Sequence, residues 1–83
     1  MSLYSERSLL GKQISEKKQA LRKLYGGVMS PRDLDRELGF KSKGGGATWA
    51  KMVGVAPIMV SPKRRGYETD RVAEEIVRGR MAV

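Results

Sequence analysis

Two helix signals flank a glycine-rich connector between Val28 and Met52, and they constrain the rest of the chain more than any other feature. Ser30-Pro31-Arg32-Asp33 is a helix start. Ser30 offers a capping hydroxyl, Pro31 suits the first helical position, and Asp33 puts a carboxylate in the first turn, where the helix dipole favours it. Leu34 and Leu38 fall four residues apart on one face, with Arg32, Asp35, Arg36 and Glu37 mainly on the other. Gly39 is placed to end the helix, and Phe40 is expected to fold back onto the leucines. After the polar connector Lys41 to Gly46, Ala47-Thr48-Trp49-Ala50-Lys51-Met52 reads as a second helix. A pair this short cannot bury its own apolar stripe, so the flanking sequence must supply the cover.

The flanks have the right patterns. Leu3 to Tyr25 reads as one long helix, with Leu10, Ile14, Leu21 and Leu24 at helical spacing and Lys17 interrupting them. The same spacing fits a short heptad seam, so two uses stay open: packing on its own domain, or pairing as a homodimer or with a protein partner. Its outer face, Arg7, Lys12, Lys18, Arg22 and Lys23, reads as solvated. Gly26-Gly27 stops the helix. Beyond Met52, Ile58-Met59-Val60 reads as a strand, Ser61 to Gly66 as a basic loop, and Gly66 to Thr69 as the returning strand. Together they form a hairpin with a cationic tip. Thr69-Asp70 is expected to cap a last helix whose apolar side is Val72, Ala73, Ile76 and Val77, fraying from Gly79. The chain therefore divides into an N-terminal helix, 1–27, and a helix–helix–hairpin–helix unit, 28–83.

Eighty-three residues make one small domain whose core is too small to enclose a deep active site, and no enzyme is expected. The absence of Cys and His excludes disulfides, thiol nucleophiles, imidazole catalysis and Cys/His zinc sites; no cofactor or metal is expected. No apolar run approaches the ~20 residues of a membrane span, and no signal-peptide pattern opens the chain, so the reading is cytoplasmic without a membrane partner. Seventeen Lys and Arg against nine Asp and Glu give a net charge of +8, which favours a polyanionic partner.

The stretch Ser30-Pro31-Arg32-Asp33-Leu34-Asp35-Arg36-Glu37-Leu38-Gly39-Phe40 resembles the first-helix motif of small MerR-like helix-turn-helix proteins, the phage excisionases and AlpA-type regulators. Thr48-Trp49-Ala50-Lys51-Met52 resembles their second helix. Pro57-Ile58-Met59-Val60, the basic Lys63-Arg64-Arg65, Gly66-Tyr67 and Thr69-Asp70-Arg71-Val72 resemble their wing and closing helix. The resemblance covers residues 28 to 78. The connector Lys41 to Gly46 is longer and richer in glycine than in the family, whose core generally lacks a counterpart to the long N-terminal helix. The resemblance implies a winged helix-turn-helix-like single domain, mostly α with a small β-hairpin, preceded by a long N-terminal helix. It also implies binding to double-stranded DNA, as a transcriptional regulator or an excisionase-like architectural factor.

A helix that enters the major groove needs exposed polar side chains of moderate length, and Lys43, Thr48 and Lys51 are the candidates. Lys63, Arg64 and Arg65 are expected at the hairpin tip, on phosphate or in the minor groove. Trp49 reads as packing rather than as a base contact, and Tyr67 as a packed ring with its hydroxyl at the edge. Gly44-Gly45-Gly46 gives either a flexible turn or room for a DNA phosphate at the second helix's amides. Arg78-Gly79-Arg80 matches the core of an AT-hook but lacks its flanking prolines. Asp33, Asp35 and Glu37 point to different sides of their helix and fit salt bridges and dipole terms rather than chemistry. Two other readings remain: a protein-interaction module working through the N-terminal helix, and a small RNA-binding protein. Against RNA, the chain has few aromatics and does not interleave them with its cations.

Overall fold

A computed structural model describes residues 3–81, with side chains from residue 9 to residue 79. Four helices and a three-stranded antiparallel sheet follow in the order α1 (Leu3–Tyr25), β1 (Val28–Met29), α2 (Pro31–Leu38), α3 (Gly45–Val53), β2 (Ile58–Ser61), β3 (Arg64–Glu68) and α4 (Thr69–Met81). Most of the chain is helical. Among the described residues no helix is long and apolar enough to cross a membrane.

α1 lies along α4 and buries Leu21 in the shared core. Its inward stripe runs through Leu10, Ile14, Lys17, Leu21 and Tyr25, whereas Leu24, expected on that stripe, is 68% exposed. Tyr25 takes the inward place because it lies four residues beyond Leu21, a smaller angular step than the three to Leu24. Lys17 interrupts the apolar pattern for a reason found on α2. Its Nζ sits 3.1 Å from Glu37 Oε2, and the Tyr25 hydroxyl donates to Glu37 Oε1 at 3.1 Å. Burial, and then the bond to Glu37, push the Tyr25 phenol up from its ordinary value. Arg22 holds Asp70 of α4 through two guanidinium N–H groups, one at 2.8 Å. Of the cations read as a solvated face, Arg22 is therefore engaged, and Arg7 lies outside the residues whose side chains are described.

Gly26 turns the chain after α1 at φ +83°, a left-handed conformation that glycine takes without a Cβ clash. The chain then forms β1, a strand absent from the sequence reading. The sheet order is β1-β3-β2, with Val28 opposite Glu68 and Met29 opposite Tyr67 on one side of β3. Ile58 faces Gly66 and Met59 faces Arg65 on the other, with an irregularity between Met59 and Ser61. Gly66 is required here: a Cβ would run into the side chains of Val28 and Val60 from both flanking strands.

α2 starts as its sequence indicates. Ser30 accepts from the Asp33 amide at 3.1 Å, and Asp33 accepts from the Ser30 amide at 3.1 Å, a reciprocal capping box. Gly39 ends it in the left-handed region. Leu34 is fully buried in a core with Leu21, Met29, Ala50, Val55, Tyr67, Val72 and Ala73, against which Leu38, Trp49, Val53 and Ile76 pack. Phe40 does not join this core; it stays 43% exposed and lies against Gly45.

Two boundaries at the end of the chain differ from expectation. Thr69 is the first residue of α4 and does not cap it; its hydroxyl is buried and donates to the Gly26 carbonyl at 2.7 Å, tying the last helix to the turn after the first. α4 also continues through Gly79 to Met81 rather than fraying there. Arg78 is helical and pairs with Glu74 at 2.7 Å, so the Arg78-Gly79-Arg80 triplet is not an extended AT-hook strand; the Arg80 side chain lies outside the described residues.

Candidate nucleic-acid interface

α3 begins two residues earlier than its sequence pattern indicates, at Gly45, because α2 supplies the cap that Gly44 cannot. The Asp35 carboxylate reaches across, accepting from the Gly46 amide at 2.5 Å and from the Gly44 amide at 3.4 Å. A negative charge on these amides suits the helix dipole as well as the orphan donors. The three glycines therefore have separate roles. Gly44 takes φ +93°, Gly45 makes room for Phe40, and Gly46 is buried where a Cβ would stand 2.7 Å from Asp35 Oδ1 and 3.0 Å from Leu34 Cγ. The amides of Gly44 and Gly46, which the sequence left open to a DNA phosphate, are already occupied by Asp35. Replacing Asp35 with Ala is expected to lower stability by about 1–2 kcal/mol, the worth of a helix cap. Asn, which keeps one acceptor oxygen, is expected to recover part of it. Denaturant titrations of the two variants give the measurement.

With its N-terminus fixed, α3 turns Gly46, Ala50 and Val53 inward and leaves Thr48, Lys51 and Met52 outward. Trp49 is half-buried and packs against the core. The hairpin stands beside this helix. Its tip is tighter than the basic loop expected, since β2 and β3 are joined by a turn at Pro62-Lys63 alone. Arg64 and Arg65 are therefore not loop residues; they open strand β3, which starts two residues before the expected return at Gly66. In β3, Arg65 shares a face with Tyr67, whose ring is buried.

Two open grooves flank α3. The first runs from the start of α2 over the connector to the hairpin, lined by Arg32, Arg36, Lys41, Lys43, Lys63, Arg64 and Arg65 together with Asp35, Phe40, Ala47 and Tyr67. The second lies between α3 and the chain entering β2, lined by Ala47, Thr48, Lys51, Val55, Pro57, Arg65 and Tyr67. Ala47, Arg65 and Tyr67 border both, so the two grooves form one continuous surface.

No protein-family model, curated protein or solved structure matches the chain.

The structure brings all six candidates from the sequence to this surface: Lys43, Lys63, Arg64 and Arg65 in the first groove, Thr48 and Lys51 with Arg65 in the second. It adds Arg32 and Arg36, which the sequence reading had placed only on the polar face of α2, and Lys41, which it had placed only in the connector. The charge is not balanced locally. Ion pairs among the described residues join Lys17 to Glu37, Arg22 to Asp70, and Arg71 and Arg78 to Glu74 and Glu75. Those pairs lie on α1, α4 and the last turn of α2, and neither α1 nor α4 lines either groove. Asp35, the acid in the lining, gives both oxygens to backbone amides.

Proposed function

We propose that this chain binds double-stranded DNA as a winged helix-turn-helix-like module of the MerR type, acting as a transcriptional regulator or an excisionase-like architectural factor. α3 is the helix that enters the major groove, and the β2–β3 hairpin is the wing on phosphate or in the minor groove. One observation carries the reading: the surface around α3 gathers Arg32, Arg36, Lys41, Lys43, Lys51, Lys63, Arg64 and Arg65 with no carboxylate of the described residues in ion-pair contact. A face that keeps so many like charges together is arranged for a polyanion. The helical element beside it has the width a major groove admits, and its outward side chains are of base-reaching length.

The test separates positioning from reading. The double variant Arg64→Ala/Arg65→Ala is expected to weaken binding to all duplexes alike and to lower the slope of log affinity against log salt by about 2. Lys51→Ala is expected to cost roughly 1–3 kcal/mol at a selected site, with little change on a scrambled duplex. Titrations of both variants against both duplexes make the comparison. Loss of only the selected site by the hairpin variant, with uniform weakening by Lys51→Ala, reverses the two roles. No change in either variant makes a protein-interaction role for α1 the leading account.

A further inference from the structure

The outward face of α3 is more apolar than a reader of hydrogen-bonding edges needs. Lys51, Thr48 and Met52 span an arc of about 100°, with Thr48 between the other two. Met52 is 81% exposed, the most exposed of the large apolar side chains described. Thr48 is exposed, but its hydroxyl donates back to the Gly44 carbonyl at 3.1 Å, one turn earlier on the same helix. With the hydroxyl turned along the helix, the γ-methyl is the group Thr48 offers outward.

An exposed methionine beside a methyl group has several suitable partners in principle, and the surrounding charge selects among them. Met52 itself lines neither groove, but its neighbour Thr48 borders the second, where Lys51 and Arg65 are the charged side chains and neither is in an ion pair among the described residues. An apolar helix of another protein would have to bring its own acids to this rim, whereas a DNA major groove brings both phosphates and an apolar group. That group is the C5-methyl of thymine, the one apolar feature on the major-groove edge of the four bases.

Resting on the proposed DNA-binding role, we infer that Met52, with the Thr48 methyl, reads thymine C5-methyl groups, and that Lys51 reads the neighbouring guanine edge. The preferred site therefore places thymine beside guanine, and its recognition is in part apolar. Met52 is a specificity residue to which the sequence reading gave no role beyond closing the second helix.

The experiment uses the full chain and a duplex selected by it from a random library, resynthesised with deoxyuridine in place of thymine. The substitution removes the methyl and keeps every hydrogen-bonding group of the base. Wild-type affinity is expected to fall roughly fourfold for each methyl contacted, the worth of one buried methylene. Met52→Ala is expected to bind the thymine and deoxyuridine duplexes within twofold of each other, while the Arg64→Ala/Arg65→Ala variant keeps the wild-type ratio at its lower overall affinity. A thermal melt of Met52→Ala, expected to match wild type because the side chain is so exposed, separates recognition from folding. Equal wild-type affinity for the two duplexes, an undiminished ratio in Met52→Ala, or a selected site without thymine beside guanine overturns the inference and leaves the DNA-binding reading standing. Absence of duplex binding even at low salt overturns that reading, and the inference with it.

Discussion

Duplex affinity is expected to fall by roughly two to four orders of magnitude between about 50 and 200 mM salt. Each phosphate neutralised by Lys or Arg releases condensed counterions, so log affinity falls linearly with log salt, at about 0.9 per contact on B-form DNA. The two grooves around α3 offer Arg32, Arg36, Lys41, Lys43, Lys51, Lys63, Arg64 and Arg65. Engagement of about half of these gives the lower figure, and of nearly all the higher. The size of the effect follows from how the acids are used. Asp33 is committed to the capping box of α2, Asp35 to the amides opening α3, and Glu37 to Lys17 and Tyr25. None forms an ion pair with these surface cations among the described residues. Fluorescence anisotropy over a salt series on one duplex gives the slope directly. A slope near zero removes the basis for any nucleic-acid partner, and single-stranded and structured RNA competitors in the same series test the RNA alternative.

The second large effect lies inside the fold, where α2 and α3 meet. Leu34→Ala is expected to cost about 2–5 kcal/mol, because Leu34 is fully buried and its removal leaves a cavity between the two helices. Gly46→Ala approaches the same contact from the other side. Its Cβ would stand 3.0 Å from Leu34 Cγ and from the Asp35 backbone nitrogen, and 2.7 Å from Asp35 Oδ1, with an expected cost of about 1–3 kcal/mol from overpacking. The double variant is expected to be less destabilised than the sum, since the cavity relieves the contact with Leu34 while the contact with Asp35 remains. Chemical denaturation of the four proteins closes the cycle. Strict additivity would show that the helices separate rather than repack.

What the sequence made legible was local. The Ser30-Pro31-Asp33 start and the Gly39 stop of α2 depend on residues within one turn of each other, and both stand in the structure. The long first helix, too, ends at Tyr25, as the glycines that follow it indicate. Contacts distant in sequence were not legible. β1 is two residues long and exists because Val28 and Met29 pair with Glu68 and Tyr67, far along the chain. α3 starts at Gly45 rather than Ala47 because an aspartate on another helix caps it, and three consecutive glycines give no local hint of a helix start. The hairpin misled for a related reason. Lys63-Arg64-Arg65 has the composition of a solvated loop, yet pairing with β2 extends β3 back to Arg64, leaving only Lys63 in the turn. For the candidate surface, residue type and element order were enough to name six side chains. They were not enough to find Arg32, Arg36 and Lys41, whose inclusion depends on how α2 is set against the hairpin.

The segregation of paired and unpaired charge also bears on kinetics. α4 balances its own arginines against its own acids, while the grooves beside α3 keep their excess of positive charge and α1 adds Lys12, Lys18 and Lys23 away from those grooves. With a neutral α4 and cations gathered beside α3, the charge is unevenly distributed, so the protein has an electric dipole as well as a net charge. In the field of a polyanion it experiences a torque before it makes contact, so tumbling is biased and a larger share of collisions arrive with α3 in front. Orientation, ordinarily the step that slows association below the diffusion limit, is then partly achieved during the approach.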